Sequence, residues 1–88
     1  MAEVAAADRL RIMRVAIVIP AFNEHRSIAE VVASALPFAN EVIVVDDGST
    51  DRTAEIATQA GAFVVRFPQN RGVGAAVACG LATARDRG

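Results

Sequence analysis

The chain has 88 residues and a net charge of −1, and its nine basic residues are all arginine. This length accommodates one small domain. The absence of a basic stripe argues against binding of a nucleic-acid duplex, and no apolar run approaches the roughly 20 residues of a membrane span. Charged residues near the N-terminus exclude a secretory signal there. A single cysteine, Cys79, cannot form an internal disulfide and sits in an apolar segment as an inert thiol.

The first third of the chain predicts an extension, a strand and a helix. Residues 1–13 are rich in alanine and charge, and we expect a flexible N-terminal extension. A strand is predicted over residues 14–19 and should end at Pro20, which lacks the N–H that a central strand needs. Helical spacing of apolar residues then predicts a helix over residues 25–36, ended by Pro37. Its apolar stripe consists of Ile28, Val31, Val32, Ala35 and Leu36.

Residues 41–53, EVIVVDDGSTDRT, carry the most informative pattern in the chain. The β-branched run at residues 41–45 is too short for a helix and predicts a strand covered on both faces. Two carboxylates, Asp46 and Asp47, follow it directly. Side-chain oxygens of Ser49, Thr50 and Asp51 are suited to the first amides of the next helix, predicted over residues 51–60.

The remaining sequence completes a repeating order of strands and helices. Gly61 is the expected C-terminal cap of the second helix. A third strand is predicted over residues 62–67 and a helix of small apolar residues over residues 73–85. This β-α-β-α-β-α order predicts a three-layer α/β/α fold with a parallel sheet in the order 3-2-1. The apolar sequence of the first strand is typical of a strand with neighbours on both sides, so we expect a further strand beside it. We therefore expect the chain to be the N-terminal part of a larger domain.

Three loops are expected to meet at one edge of this sheet, since parallel strands all end on the same side. They comprise residues 20–24, 46–51 and 68–74. Phe22 could stack on a base or a ribose, and a carboxylate from Glu24 or Asp47 could accept hydrogen bonds from a base or from ribose hydroxyls. The pattern therefore favours a nucleotide site at this edge.

Each of these residues also has a purely structural interpretation. Asp46 and Asp47 could cap a turn and the following helix, because Asp-Gly is a common turn signal. Phe22 could belong to the core, and the segment Asn23-Glu24 could begin a helix. Gly72 and Gly74 could serve close helix packing alone. The functional interpretation depends on all three loops meeting at one edge.

Three segments in this order and spacing, VAIVIPAFNE, EVIVVDDGSTDRT and QNRGVGAAVACG, resemble the nucleotide-binding half of family 2 glycosyltransferases. Within that family they most resemble the synthases of dolichyl- or polyprenyl-phosphate sugars. The resemblance covers about residues 14–85. It implies a GT-A fold, here incomplete, with residues 14–88 as a partial nucleotide-sugar-binding domain. It also implies transfer of a sugar from a UDP- or GDP-sugar, usually with Mg²⁺ or Mn²⁺.

The resemblance assigns expected roles to several residues. Asp47 is the expected partner of the base, with Val45 and Asp46 beside it, and Gly72 and Gly74 form the turn where many members have a glycine-rich segment. The base and ribose site is expected to be lined by Pro20, Ala21, Phe22 and Glu24. The implied acceptor is a polyprenyl phosphate, and the expected location is the cytoplasm or the cytoplasmic face of a membrane.

The sequence departs from the family pattern at three points. Phe22 stands where many members have tyrosine, and Val73 stands where relatives often have a basic residue. The Asp-x-Asp motif that binds the metal in the family does not occur in these 88 residues, and Asp46-Asp47 does not match it in position. We therefore expect no metal ligands and no catalytic residue in this chain, and no transferase activity from the chain alone.

Two other classes of function remain open from the residues alone. A Rossmann-type dinucleotide-binding module would place its glycines after the first strand, whereas Gly72 and Gly74 follow the third. A receiver-like signalling domain would also have paired acids at a strand end, but here they follow the second strand and the chain has no lysine. Preference for UDP or GDP over NAD would favour the glycosyltransferase interpretation, and no nucleotide binding would favour the signalling domain.

Overall fold

The computed structural model describes residues 14–88. The predicted N-terminal extension, residues 1–13, lies outside the described residues. The strands are β1 (Ala16–Ala21), β2 (Glu41–Asp46) and β3 (Phe63–Arg66). The helices are α1 (Ile28–Ala35), α2 (Thr53–Ala60) and α3 (Val73–Arg87), and a short 3-10 helix (Leu36–Phe38) follows α1. None of the helices in this part of the chain combines the length and apolarity needed to cross a membrane.

The three strands form one parallel sheet in the order β1-β2-β3, so that β2 lies in the centre. Its residues Val42 to Val45 are almost completely buried, which fits the unbroken β-branched run of a strand covered on both faces. The predicted α/β fold, its element order and its strand order are confirmed.

Alternate residues of the strands face two different helical layers. Val42 and Val44 pack with Ile28 and Val32 of α1 and with Ala57 of α2. On the other face, Ile43 and Val45 pack with Phe67 and with Ala76 of α3. The sheet therefore lies between a layer of two helices and a layer of one, the three-layer arrangement expected from the sequence.

The prediction that Pro20 ends the first strand is wrong. β1 continues to Ala21, and Pro20 is paired in register with Val45. The carbonyl oxygens of Val15 and Ala21 accept hydrogen bonds from the β2 side. Because successive residues of a strand point their backbone groups to opposite sides, Pro20 directs its missing donor to the outer edge of the sheet, where it breaks no hydrogen bond with β2.

Two helices begin later than predicted, α1 at Ile28 rather than residue 25 and α2 at Thr53 rather than residue 51. The apolar stripe of α1 is also narrower than expected, since Ile28 and Val32 are buried whereas Val31 is 40% exposed. The predicted cap at Gly61 is confirmed, with φ of 111°. The three connections at the carboxyl ends of the strands are hereafter loop 1 (residues 22–27), loop 2 (residues 47–52) and loop 3 (residues 67–72).

Candidate functional site

An open cleft of about 210 Å³ lies at the carboxyl edge of the sheet. It is formed where loop 1, loop 2 and the start of α3 meet. Five of the residues selected from the sequence line it together, which places the end of β1, Phe22 and Asp47 on one side of the molecule. The lining consists of Pro20, Ala21, Phe22, Glu24, Asp47, Val73 and Ala76.

Asp47 joins loop 2 to loop 3. Its Oδ1 accepts a hydrogen bond from the backbone N–H of Arg71 at 2.6 Å, and its Oδ2 accepts one from the N–H of Gly72 at 3.0 Å. The side chain of Asn70 also donates to the Asp47 carbonyl at 3.3 Å. A carboxylate has about four lone-pair sites, so each oxygen of Asp47 retains the capacity to accept a further hydrogen bond from a ligand.

Asp46 has a different environment from its neighbour. Both side chains are buried, with exposures of 0% for Asp46 and 4% for Asp47, but Asp46 does not line the cleft. Oδ1 accepts the N–H of Ser49 at 3.0 Å, and Oδ2 lies 3.7 Å from Nε of Arg66 without a hydrogen bond from the described residues. Asp46 therefore closes the turn after β2, as the structural interpretation of the sequence proposed, and its charge is compensated by a largely exposed arginine.

The glycines at the edge of the sheet serve different purposes. Gly72, whose own N–H donates to the carboxylate of Asp47, has φ of 97°, a conformation that only glycine adopts readily. Gly74 lies in the first turn of α3, and a Cβ added there would meet none of the described atoms within 4 Å. Gly48 was not selected from the sequence, yet a Cβ there would overlap the backbone of Gln69 and Asn70. The close approach of loops 2 and 3 thus depends on Gly48.

Loop 1 is held by side chains of loop 2 and of the first residue of α2. Backbone N–H groups of Asn23 and Glu24 donate to Oγ of Ser49 and Oγ1 of Thr53, each at 2.8 Å. This role was not predicted: the Ser49 and Thr50 oxygens were expected to bind the first amides of α2, and the structure contradicts that expectation. Asp51 alone acts in that way, since its Oδ1 accepts the N–H of Thr53 at 2.9 Å.

Asp51 is strongly favoured in its ionised form. The Thr53 hydroxyl donates a hydrogen bond to its carboxylate and is the main cause that lowers the pKa of Asp51 well below its ordinary range. The N–H of Thr53 and the ring and backbone of His25 act in the same direction, while partial burial opposes them. His25 Nδ1 lies 2.8 Å from Oδ2 of Asp51, and this partner assigns the proton of the ring to Nδ1.

Two lining residues, Val73 and Ala76, were not among the predicted site residues. They lie three positions apart on α3 and so share one helix face, a signal that the sequence already contained. Val45, Gly72 and Gly74, which were predicted to take part, do not line the cleft. Val45 is instead a core residue of β2.

The cleft contains two acidic side chains, Glu24 and Asp47. Within residues 14–88, no group of three or more histidine, cysteine, aspartate or glutamate side chains is placed to hold a metal ion. Both oxygens of Asp47 accept backbone N–H groups, and Asp46 does not line the cleft. That this chain lacks the metal ligands of the family stays a prediction.

Comparison with known proteins gives consistent results at the levels of sequence and structure. The family model of glycosyl transferase family 2 matches residues 16–87. The succinoglycan biosynthesis protein ExoU of Rhizobium meliloti is 51% identical, in an alignment that covers 70% of this chain and 20% of that protein. A dolichyl-phosphate beta-glucosyltransferase of Dictyostelium discoideum is 29% identical, in an alignment that covers 81% of this chain and 27% of that protein.

A solved structure has the same fold. Glucosyl-3-phosphoglycerate synthase of Mycobacterium tuberculosis, crystallised with Mn²⁺, UDP and glucosyl-3-phosphoglycerate, matches with a TM-score of 0.74 and 31% sequence identity, over 94% of this chain and 35% of that one. The chain thus spans between a fifth and about a third of the length of these relatives. The predicted GT-A fold agrees with this match, and the chain belongs to glycosyl transferase family 2.

Proposed function

We propose that the cleft at the carboxyl edge of the sheet binds the base and ribose of a nucleoside diphosphate sugar, UDP- or GDP-linked. The observation that carries this proposal is the convergence of Phe22, Glu24 and Asp47 on one cleft. Its volume of about 210 Å³ lies below the roughly 300–1,000 Å³ of sites for whole drug-sized ligands. A cleft of this size suits one part of a nucleotide sugar.

The chemistry of the walls fits a nucleoside. Phe22 is 45% exposed, and its ring is available for stacking on a base. Asp47 retains acceptor capacity for a base N–H, and the carboxylate of Glu24 offers a second acceptor for ribose hydroxyls. Pro20 and Val73 add apolar surface. Gly72 supports this site by donating its N–H to Asp47, and Asp46 supports it by closing the turn after β2.

The names of the relatives support a wider proposal for the whole protein. The similar structure contains UDP and Mn²⁺, and one relative is named for dolichyl phosphate. We propose that residues 14–88 are the partial nucleotide-sugar-binding domain of a glycosyltransferase. The whole protein would transfer the sugar to a polyprenyl phosphate at the cytoplasmic face of a membrane and would use Mg²⁺ or Mn²⁺ held by residues outside this cleft.

A nucleotide titration of the 88-residue chain tests the proposal. We expect UDP or GDP to shift the amide resonances of Phe22, Asp47 and Val73, with or without MnCl₂, and NAD to cause no comparable shifts. Phe22→Ala should weaken binding about 5- to 150-fold, because stacking on an aromatic ring contributes roughly 1–3 kcal/mol per base.

Phe38→Ala is a matched control. Phe38 is 66% exposed and precedes β2, at the opposite end of the sheet from the cleft. We expect its substitution to leave nucleotide affinity unchanged. Equal losses in both variants, or binding of NAD in preference to UDP and GDP, would contradict the proposed site.

An activity assay tests whether this chain alone can transfer a sugar. With a UDP- or GDP-sugar, polyprenyl phosphate and MnCl₂, we expect the 88-residue chain to transfer no sugar. The described residues lack a metal cluster, so a diphosphate leaving group would meet no divalent cation held there. Metal-dependent transfer above the rate without protein would refute this part of the proposal.

A further inference from the structure

Consecutive backbone donors of loop 1 are bound by side chains from a distant part of the chain. The N–H groups of Asn23, Glu24 and His25 donate to Ser49 Oγ, Thr53 Oγ1 and Asp51 Oδ2, at 2.8, 2.8 and 3.3 Å. We call these six residues the inter-loop network. Because the donors are 26 to 29 residues away from their acceptors, the network fixes the position of loop 1 relative to loop 2.

Asn23 lies at the centre of this network and in an uncommon conformation. Its φ is 51°, in the left-handed region that asparagine tolerates better than most residues. Its side-chain Oδ1 accepts the N–H of Thr50 at 2.8 Å, so that Asn23 binds the segment after β2 through both its main chain and its side chain. Its neighbours Phe22 and Glu24 both line the cleft. The turn at Asn23 thus presents these two side chains to one ligand.

Thr53 connects the turn to an ionised carboxylate. Its side chain is fully buried, and its hydroxyl accepts the N–H of Glu24 while donating to Asp51. A carboxylate acceptor makes a stronger hydrogen bond than a neutral group and fixes the direction of the hydroxyl proton. The lone pairs of Thr53 Oγ1 are therefore directed to the N–H of Glu24. Ser49, which is 5% exposed, provides a second buried acceptor for loop 1.

We propose that Thr53 and Ser49 are positioning residues of the nucleotide site. Neither lines the cleft, and each acts on it through a backbone N–H of loop 1. By holding that loop they keep Phe22 and Glu24 in the arrangement that accepts a base and a ribose, which lowers the cost of ordering the site on binding. This inference rests on the proposed function for its ligand, whereas its account of loop 1 stands on the contacts alone.

Two substitutions of Thr53 separate the hydroxyl from the volume it occupies. Thr53→Val keeps the branched shape and removes the hydroxyl, leaving the N–H of Glu24 without its acceptor. Thr53→Ser keeps the hydroxyl and removes a methyl group. We expect Thr53→Val to accelerate hydrogen exchange at the Glu24 amide and to weaken UDP or GDP binding about two- to tenfold, the effect of roughly one net hydrogen bond. Thr53→Ser should preserve slow exchange and affinity.

The readouts distinguish positioning from a general loss of stability. Exchange at the Val44 amide in central β2 reports global opening and should change less than exchange at Glu24. If Thr53→Val unfolds the chain, Ser49→Ala gives the same test at the Asn23 amide, with Ser49→Thr as the hydroxyl-retaining control. Unchanged exchange in loop 1 and unchanged affinity in the valine or alanine variant would overturn the proposal.

A failure of the proposed nucleotide binding would give a different result from a failure of the positioning role. If the unsubstituted chain bound neither UDP nor GDP, the proposed function would fail, and the positioning role would be decided by loop 1 alone. Faster exchange at Glu24 in Thr53→Val, reversed in Thr53→Ser, would then support that role, and equal exchange in all variants would refute it.

Discussion

On one face of the sheet, α1 inserts the branched side chains of Ile28 and Val32 against the valines of β2, with Ala57 of α2 beside them. On the other face, α3 approaches with alanine and glycine. Ile28 and Val32 are completely buried in the first layer. In the second layer, Ala76 packs on the sheet, and Gly80 lies so close to β1 that an added Cβ would overlap Val18. One layer is stabilised by the volume of its side chains, and the other by the close approach of a helix backbone.

The outer surface of α3 also carries apolar side chains. α3 carries Val73, Val77 and Leu81 on exposed positions, and Val73 and Leu81 are 68% and 60% exposed. A helix that packs through small residues buries less apolar area per residue, and burial of apolar area is the dominant favourable contribution to folding. We therefore expect substitutions in the two layers to have effects of different size and of different cause.

The largest effect is expected in the two-helix layer. Ile28→Ala removes three buried carbon atoms beside Val42 and Val44 and should lower the free energy of unfolding by about 2–5 kcal/mol. Leu81→Ala on the exposed side of α3 is the matched control and should change it by less than about 0.5 kcal/mol. Urea unfolding followed by circular dichroism measures both. Similar losses of unfolding free energy in both variants would contradict the larger effect expected in the two-helix layer.

A methyl group added to α3 tests the close approach directly. Gly80→Ala places a Cβ against Val18 and should destabilise the chain by about 1–3 kcal/mol through overpacking. Gly74→Ala adds the same group on the same helix where the described atoms leave open space, and it should stabilise by roughly 0.5–1 kcal/mol through helix propensity. If Gly80→Ala were also stabilising in urea unfolding, α3 would not depend on close contact with β1.

One carboxylate beside each helical layer has a lowered pKa, and acid should act on both. Hydrogen bonds from Thr53, the first residue of α2, lower the pKa of Asp51 in loop 2. A carboxylate with a lowered pKa stabilises the fold above its unfolded value, about 3.9 for aspartate, and loses this contribution as the pH falls through the folded value. Asp51→Asn should therefore reduce the loss of unfolding free energy below about pH 4. An identical pH profile in the variant would contradict this account.

The corresponding effect in the α3 layer should be smaller. Arg87 forms a two-point hydrogen bond with Glu41, at 2.6 and 2.7 Å, and lowers the pKa of that carboxyl. Arg87 also lies over the ring of Phe63 at 3.6 Å, a contact that does not depend on Glu41. Because both partners are partly exposed, solvent screens their attraction. Glu41→Gln should thus change the pH dependence of the unfolding free energy less than Asp51→Asn does. A larger change in Glu41→Gln would contradict this expectation.

The order of elements and of strands could be predicted because it depends on local patterns. Hydrophobic periodicity identified each strand and helix, and parallel connection rules gave the strand order. The starts of α1 and α2 were misplaced because Asn23, Glu24 and His25 bind partners beyond β2. A polar side chain in a sequence can serve its own helix or a distant loop, and local spacing does not distinguish these uses.

The cleft was predicted in part for the same reason. Pro20, Phe22 and Asp47 follow from the rule that ligands bind at the carboxyl ends of parallel strands. Ser49 and Thr53 could not be assigned, since their acceptor role arises only when loops 1 and 2 are folded together. Gly80 was also missed, because the sequence does not show which face of α3 contacts the sheet.

Pro20 affects any strand that would add to the side of β1 that no described strand covers. Ala16 and Val18 point both an N–H and a carbonyl outward, but Pro20 offers a carbonyl alone. An added strand would therefore lose a hydrogen-bond donor at the last outward position before the cleft. Its pairing with β1 would be weaker beside the cleft than along Ala16 and Val18.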